Sequence, residues 1–580
     1  MRAAEGFSGK EQLFSHGHRD KTARSLTPAM NMIQSQTMFP GLNEDCSFLA
    51  LKYLETTSLL SVALTSRAAV HPVRLWLVRH TYITSEKRLI AFLTFVLDHS
   101  LESAMHGLSV FFREWATGPH TFWPRLLADV LPQATNLSRL ELNLHPLQRF
   151  SNPLKPERFE TFDECKQRLF DVLANDMPAL TQFYLHRIEP ETVIALQGIR
   201  GLRAIRLDVQ HHSLNTDANA RVSAMDVIKK ILADNAETLA DVSLLESHAP
   251  NPPIPFTVDE LDCEFTHVTR LSILGYPLSF DRSLQNVTRI FPNLQRLHLG
   301  DSPKFPVDLV IGPVWPAMTT LIAPSEFLSM LARHDGNCPS LRRLVVADHR
   351  VSPLPRLQET LQSVRRFSIH ELYLIIPITE RDDLRSLDDA AAPSGWPSQI
   401  SQNAPNLRKL DLCLQPQGPR EIQRIISVTP HLVTVPVACA FDNLTHLSFS
   451  LYGGETVMSN EILQSLAKTW FTACPVLVCI GIAAQENEFR LVRRWETDDR
   501  KLPCSVVVPQ YRQNLQTRRT IFVDSASEFS LKNEDMKPGM TPWSDFFYHN
   551  SGIMQVDWLV RVDLSTKAWL CWEEDRMGVI

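Results

Sequence analysis

The stretch Leu137-Ser-Arg-Leu140-Glu-Leu142 decides how this chain folds. It sets apolar residues three and then two positions apart. The same phrase returns as Leu180/Phe183/Leu185, Leu202/Ile205/Leu207, Leu239/Val242/Leu244, Val268/Leu271/Ile273 and Leu294/Leu297/Leu299. It continues through Met318/Leu321, Leu341/Leu344/Val346, Ile369/Leu372/Leu374, Leu407/Leu410/Leu412, Leu444/Leu447/Phe449 and Leu477/Ile480/Ile482, twelve copies in all. The last two apolar positions alternate with variable ones, the pattern of a short strand with one buried face. The first apolar residue turns the chain into that strand.

Between copies the chain reads as helix. Cys165, Leu169, Val172 and Leu173 share a helical stripe within Asp163–Met177, as do Met225, Ile228, Ile231 and Leu232. Ile422, Ile425 and Ile426 form a third stripe, and Ile462, Leu466 and Trp470 a fourth. From Leu137 to Leu477 the copies occupy 340 residues in eleven intervals, a mean of about 31. A regular leucine-rich repeat runs ~20–29 residues. The chain is therefore expected to be α/β: an irregular right-handed leucine-rich-repeat solenoid over residues 81–484, with parallel strands on the concave face and helices on the convex face. Proline stands two residues before the first apolar position at Pro178, Pro292, Pro316, Pro339, Pro405 and Pro475. It cannot continue the preceding helix and favours the extended chain that follows. Two copies read Cys-Pro-x-Leu, from Cys338 and from Cys474. They resemble the cysteine-containing leucine-rich repeats of F-box proteins.

Residues 38–80 form a different module. Leu42, Cys46, Leu49 and Tyr53 share one helical face; Leu54 follows, and Thr57 or Ser58 caps a second helix carrying Leu59, Leu60, Ala63 and Leu64. A third helix is expected over His71–His80. The order of an acidic pair (Glu44, Asp45), an apolar helix, Tyr53-Leu54, a short polar link, Leu59-Leu60 and Ser66-Arg67 resembles the F-box, a small all-α motif. The resemblance to fungal-type F-box proteins with C-terminal leucine-rich repeats implies a substrate-recognition subunit of an SCF-type cullin-RING ubiquitin ligase. Leu42, Cys46, Leu49, Tyr53, Leu54, Leu59 and Leu60 would then hold the adaptor subunit, and the repeats a protein substrate. Asn43 stands where the family has proline. A helical cap that seals the first repeat, in a scaffold with no ubiquitin link, is the competing reading.

Composition agrees with a binding protein. The 580 residues carry a net charge of −6, without the basic excess of a nucleic-acid binder. The cysteines are scattered and form no C-x-x-C, so reduced thiols in the cytoplasm or nucleus are expected rather than disulfides or a zinc cluster. No apolar run is long enough to span a membrane. Residues 1–37 mix Lys10, Arg19, Lys21 and Arg24 with Glu5, Glu11 and Asp20, and read as a disordered tail, not a targeting peptide. Phosphate-loop, dinucleotide, serine-hydrolase and zinc-protease motifs are absent. The expectation is a protein that is not an enzyme, with no cofactor and no bound metal.

The residue just before the second apolar position should face the concave surface. Along the copies it is Arg139, Gln182, Ala204, Asp241, Arg270, Arg296, Thr320, Arg343, Glu371, Lys409, His446 and Cys479. Arg270, Arg296 and Arg343 would form a ladder suited to carboxylate or phosphate groups of a substrate; an ordinary solvated polar face is the alternative. Loops at 145–162, 248–261 and 376–400, rich in proline and charge, offer a second surface. Residues 485–580 lose the phrase. They read as a C-terminal cap and tail, with strands expected at Phe489–Trp495, Ser505–Val508, Thr520–Val523 and Gln555–Val562.

Overall fold

The computed structural model describes most of residues 46–111 and 474–485, and 123–143, 160–210, 218–247, 260–274, 284–300, 315–333, 338–346, 354–378, 396–416, 441–451 and 488–493, with short strands at 256–257, 278–279, 506–509, 561–563 and 568–570. The stretch 1–37, the stripes at 422–426 and 462–470 and the strand expected at Thr520–Val523 lie outside the described residues. The chain divides into a unit up to Arg74 and a unit from Leu75 onward.

The second unit is built on one sheet whose strand order follows the chain. Its strands are β1 His80–Ile83, β2 Gly107–Val110, β3 Arg139–Asn143, β4 Gln182–Ile188, β5 Ala204–Gln210, β6 Asp241–Ser247, β7 Arg270–Leu274 and β8 Arg296–Leu299. They continue as β9 Thr320–Ala323, β10 Arg343–Val346, β11 Glu371–Ile378, β12 Lys409–Pro416, β13 His446–Leu451, β14 Cys479–Gln485, β15 Glu488–Arg493 and β16 Val506–Pro509. Every neighbouring pair from β1 to β14 is parallel, whereas β15 and β16 run antiparallel. Helices connect the parallel strands, among them Glu86–His99, Glu160–Asn175, Ala218–Asp234 and Ser325–Arg333. Parallel neighbours need such crossovers, because a tight turn joins only antiparallel strands. The unit is an α/β, solenoid-like repeat fold.

The sequence phrase maps onto the sheet copy by copy. The first apolar residue of all twelve copies, from Leu137 to Leu477, is at most 1% exposed. It is a core column, not merely a turning point. The alternating Leu140/Leu142, Phe183/Leu185 and Leu344/Val346 positions point to the same core. Ala323 fills the third position that the Met318/Leu321 copy lacked.

Two rungs escaped the sequence reading. Met105/Leu108/Val110 forms β2 and Val78/Thr81/Ile83 forms β1, the latter hidden by a threonine where the others carry an apolar residue. The loops also shrink. Glu160–Phe162 begin a helix, Phe256–Thr257 pairs with Leu278–Ser279, and the 376–400 segment starts inside β11 and ends in the helix Trp396–Asn403. At the C-terminal end the observed strands are β15, β16 and an antiparallel pair, Arg561–Asp563 with Ala568–Leu570.

The prolines do more than stop helices. Leu180 N–H donates to the Met177 carbonyl at 3.1 Å, Met318 to Trp315 at 3.0 Å, Leu341 to Cys338 at 3.0 Å and Leu407 to Ala404 at 3.1 Å. Pro178, Pro316, Pro339 and Pro405 are thus the second residue of a four-residue turn, where a fixed φ is already correct. The first residue of each turn is buried: Met177, Trp315, Cys338 and Ala404, with Cys474 in the same place. The cysteine of Cys-Pro-x-Leu is one of several plugs used there. Burial pushes the Cys338 thiol up to about 12, so it is inert as a nucleophile. Phe265 and Phe291 fill the position in successive rungs and stack at 5.0 Å, and Trp315 Nε1 donates to the Phe291 carbonyl at 3.1 Å.

Leu297 and Leu344 are 3% and 0% exposed. Replacing either by Ala is expected to cost ~2–5 kcal/mol, read as a lower midpoint in chemical denaturation; a neutral result at both would contradict the core register.

Candidate interaction surface

Because neighbouring strands pair without offset, residues at equal positions in the phrase form columns. The column expected from sequence exists: Arg139 pairs Gln182, then Ala204, Asp241, Arg270, Arg296, Thr320, Arg343, Glu371, Lys409, His446 and Cys479. Arg270 and Arg296 are adjacent, and Arg343 stands two rungs beyond Arg296, as the spacing predicts. From Arg139 to His446 this column is half-exposed except at Ala204. The next column outward closes between β8 and β11, where His298, Ile322, Val345 and Tyr373 are buried. Over those rungs the accessible band is the first column and the residue that precedes it.

The ladder cations are largely engaged within the chain. Arg270 Nη1 lies 3.7 Å from Asp241 Oδ2, and Arg343 Nε lies 3.8 Å from Glu371 Oε2. Glu371 also receives Lys409 Nζ at 3.3 Å. Asp241 at one end and Glu371 at the other thus flank the ladder of Arg270, Arg296 and Arg343, and such partly exposed pairs add little stability. At its far end His446 is held neutral. Burial first, and then the charge of Lys409, lower its pKa to about 4 against the opposing effect of Glu371; Thr445 Oγ1 lies 2.9 Å from Nδ1.

The first rungs hold a polar cluster that no sequence motif announced. Glu141 accepts from Ser109 Oγ at 3.1 Å and Arg139 Nη2 at 3.0 Å, and lies 3.1 Å from His186 Nε2. Burial alone would raise the Glu141 carboxyl; the hydrogen bond and charge of His186, and then Arg139, overcome it and hold it well below the usual carboxylate range. A bulge in β4 brings His186 here, with Arg187 in the left-handed region at φ 57°. Phe111 stacks on Tyr82 and packs at a tilt against His186, and Arg139 lies over the Tyr184 ring. The hydroxyl and the imidazole both converge on the carboxylate rather than on each other, so the cluster is a bonded network and not a nucleophile with its base.

Further polar ladders run along the leading edge, where the strands begin. The hydroxyls of Ser138, Thr181, Thr269, Thr319 and Thr445 each donate to the carbonyl of the preceding rung. Asn136, Asn293 and Asn443 donate through Nδ2 to Ser103, Thr266 and Pro405 carbonyls, and Asn406 to Ser368 Oγ. The signal was present in the sequence as asparagine directly before the first apolar residue.

In the first unit the candidate adaptor residues separate. Leu42 and Tyr53 lie outside the described residues. Leu59 is buried, so it holds the module together rather than offering a contact, and Leu54 is half-buried. Cys46 is exposed, Leu49 is 54% and Leu60 49% exposed. Leu64, absent from the expected set, is 89% exposed. It follows Leu60 by one turn on the helix Thr56–Thr65, so both lie on one face. The next helix is Arg67–Arg79, earlier than His71–His80.

No family model and no curated protein matches the chain. Among solved structures, a Bacteroides fragilis protein known from its crystal structure aligns at 13% identity and a TM-score of 0.23, covering 46% of this chain and 64% of its own. No described helix is long and apolar enough to cross a membrane.

The two depressed pKa values predict acid sensitivity in two windows. An unfolded histidine takes a proton near its ordinary 6.5, the folded His446 only near 4. Stability from this group is complete above pH 6.5 and lost as pH falls toward 4. Glu141 acts lower: its contribution is complete above the ordinary 4.5 and is lost below it. His446→Gln should flatten the thermal-midpoint profile between pH 6.5 and 4 and leave the steeper loss below it; an unchanged profile would refute the assignment.

Proposed function

We propose that the chain is the substrate-recognition subunit of an SCF-type cullin-RING ubiquitin ligase: an F-box-like helical module followed by a leucine-rich-repeat solenoid. The observation that carries this reading is the distribution of exposed apolar surface. Among the described residues, the large apolar ones with high exposure are Leu49, Leu60 and Leu64 in the N-terminal unit, and Val222 and Val476, which stand singly in the repeats. Leu60 and Leu64, exposed on one face of one helix, mark a docking face, whereas single exposed residues need no explanation. Both leucines fall in the stretch whose residue order resembles the F-box.

In this reading Cys46, Leu49, Leu54, Leu60 and Leu64 meet the adaptor, with Leu42 and Tyr53 contributing from the same motif. The repeats hold a protein substrate, and the protein works in the cytoplasm or nucleus. It needs no cofactor and contacts neither nucleic acid nor membrane. The chain performs no chemistry. A recruited conjugating enzyme does, and tethering raises the effective concentration of a substrate lysine beside it. The second reading, a repeat scaffold with no ubiquitin link, is favoured by Asn43 in place of the family's proline.

Pull-down with the cullin-RING adaptor separates the two. The triple variant Leu49→Asp, Leu60→Asp, Leu64→Asp changes exposed side chains and should abolish adaptor capture while leaving the thermal midpoint of the repeats unchanged. If the unmodified chain fails to retain the adaptor, the scaffold reading stands.

A further inference from the structure

On the leading edge of β10, β11 and β12, and on the turns that feed them, positive charge accumulates. Arg342, Arg365, Arg366 and Arg408 are exposed there, and Arg343 and Lys409 are half-exposed one position further on. Within 338–346, 365–378 and 404–416 the only carboxylates are Glu371 and Asp411. Six cations therefore face two anions in a chain whose net charge is −6.

The fold sets Arg342 and Arg408 in one column. His370 N–H donates to the Arg342 carbonyl at 2.8 Å, and Arg408 N–H to the His370 carbonyl at 2.8 Å, so the three residues are successive members of one column. Arg342 is also fixed in place: its Nη1 donates to the carbonyls of Pro339, Leu341 and Ser368. No carboxylate among the described residues lies within ion-pair distance of Arg342, Arg365 or Arg408, unlike Arg270 and Arg343. His370 adds little charge, because burial and the flanking Arg342 and Arg408 lower its pKa against a smaller opposing effect of Glu371.

We propose that this leading-edge patch, centred on Arg342, Arg365 and Arg408, is a docking surface for an acidic segment of a partner polypeptide. Guanidinium forks match carboxylates in planar, bidentate pairs, and a fork already positioned loses less freedom on binding. Three rungs at ~4.8 Å span roughly 10 Å, the length of about three extended residues. That suits a short run of Glu or Asp. Single-stranded nucleic acid is the poorer fit. It needs aromatic platforms between the cations, and Tyr373, the aromatic on β11, is buried.

The proposal deepens the reading of the repeats as the partner-binding element. Its test is an anisotropy titration of the full chain with a fluorescein-labelled hexaglutamate peptide at about 50 and about 300 mM salt, the range over which exposed charges become screened. Binding should weaken roughly tenfold with the added salt and again roughly tenfold in the variant Arg342→Glu, Arg365→Glu, Arg408→Glu. Arg342 also bonds main chain, so Arg365→Glu, Arg408→Glu is the second variant, with circular dichroism and thermal midpoint confirming the fold; it should lose most of the same affinity. The variant Arg270→Glu, Arg296→Glu should bind nearly as well as the unmodified chain. Equal binding by the double variant at Arg365 and Arg408, or an equal loss in the Arg270 and Arg296 variant, overturns the proposal. So does tighter binding of a labelled oligothymidylate that displaces the peptide. Adaptor capture is indifferent to these changes; its persistence when the peptide fails to bind would sink this inference alone.

Discussion

At the start of each rung from β4 to β13, one main-chain carbonyl of the rung before it holds two successive N–H groups. The Ser138 carbonyl accepts the N–H groups of both Thr181 and Gln182; the Thr181 carbonyl accepts those of Arg203 and Ala204, and the Arg203 carbonyl those of Ala240 and Asp241. The same pair of hydrogen bonds recurs at the carbonyls of Ala240, Thr269, Gln295, Thr319, Arg342, His370 and Arg408. A carbonyl has two lone pairs, and here both are used. The geometry permits no slip: moving a strand by one residue would send its apolar side chains to the opposite face. Core columns, half-exposed columns and the leading edge all inherit their alignment from it.

Around that linkage the chain arranges two kinds of support. On the core side, the turn plug ahead of most rungs is aromatic, aliphatic, methionine or cysteine, as room allows, although Arg366 stands exposed in that place ahead of Ile369. This tolerance is why insertions of very different length coexist with one unbroken sheet. On the other side, hydroxyls and asparagine amides repeat the carbonyl linkage through side chains. Each such bond is worth only about 0.5–1.5 kcal/mol, but repetition at successive rungs makes the leading edge a stiff platform. A surface that holds a partner benefits from that stiffness, because less freedom is lost on binding.

Charge is arranged unevenly on this platform. In the first exposed column cations and anions neutralise one another, as with Asp241 and Arg270, or with Arg343, Glu371 and Lys409. One position earlier, Arg342 and Arg408 flank His370 with no such answer among the described residues. The ladder seen in sequence and the patch seen in structure are thus neighbours with different electrostatics. Sequence spacing put the ladder arginines in the right slots, yet ion pairing depends on which rung lies next door.

Much of the architecture was legible because apolar periodicity has one cause, the need to bury one face of each strand. Leu137, Leu180 and Leu202 announced themselves that way, as did the stripe at Leu169, Val172 and Leu173. Periodicity failed where a polar residue took an apolar slot, as at Thr81, and it could not tell the exposed Leu60 and Leu64 from the buried Leu59, since all three are leucines on one short helix. Sequence by itself determined the rung pattern, the core columns and the order of the slots, because these follow from side-chain alternation within a strand. Only the tertiary structure decided which slots are spent on internal ion pairs, that His186 reaches Glu141 across a bulge, and that Arg342 and Arg408 flank His370 on one edge. Those depend on contacts between residues dozens of positions apart, brought together by strand pairing that no local pattern encodes.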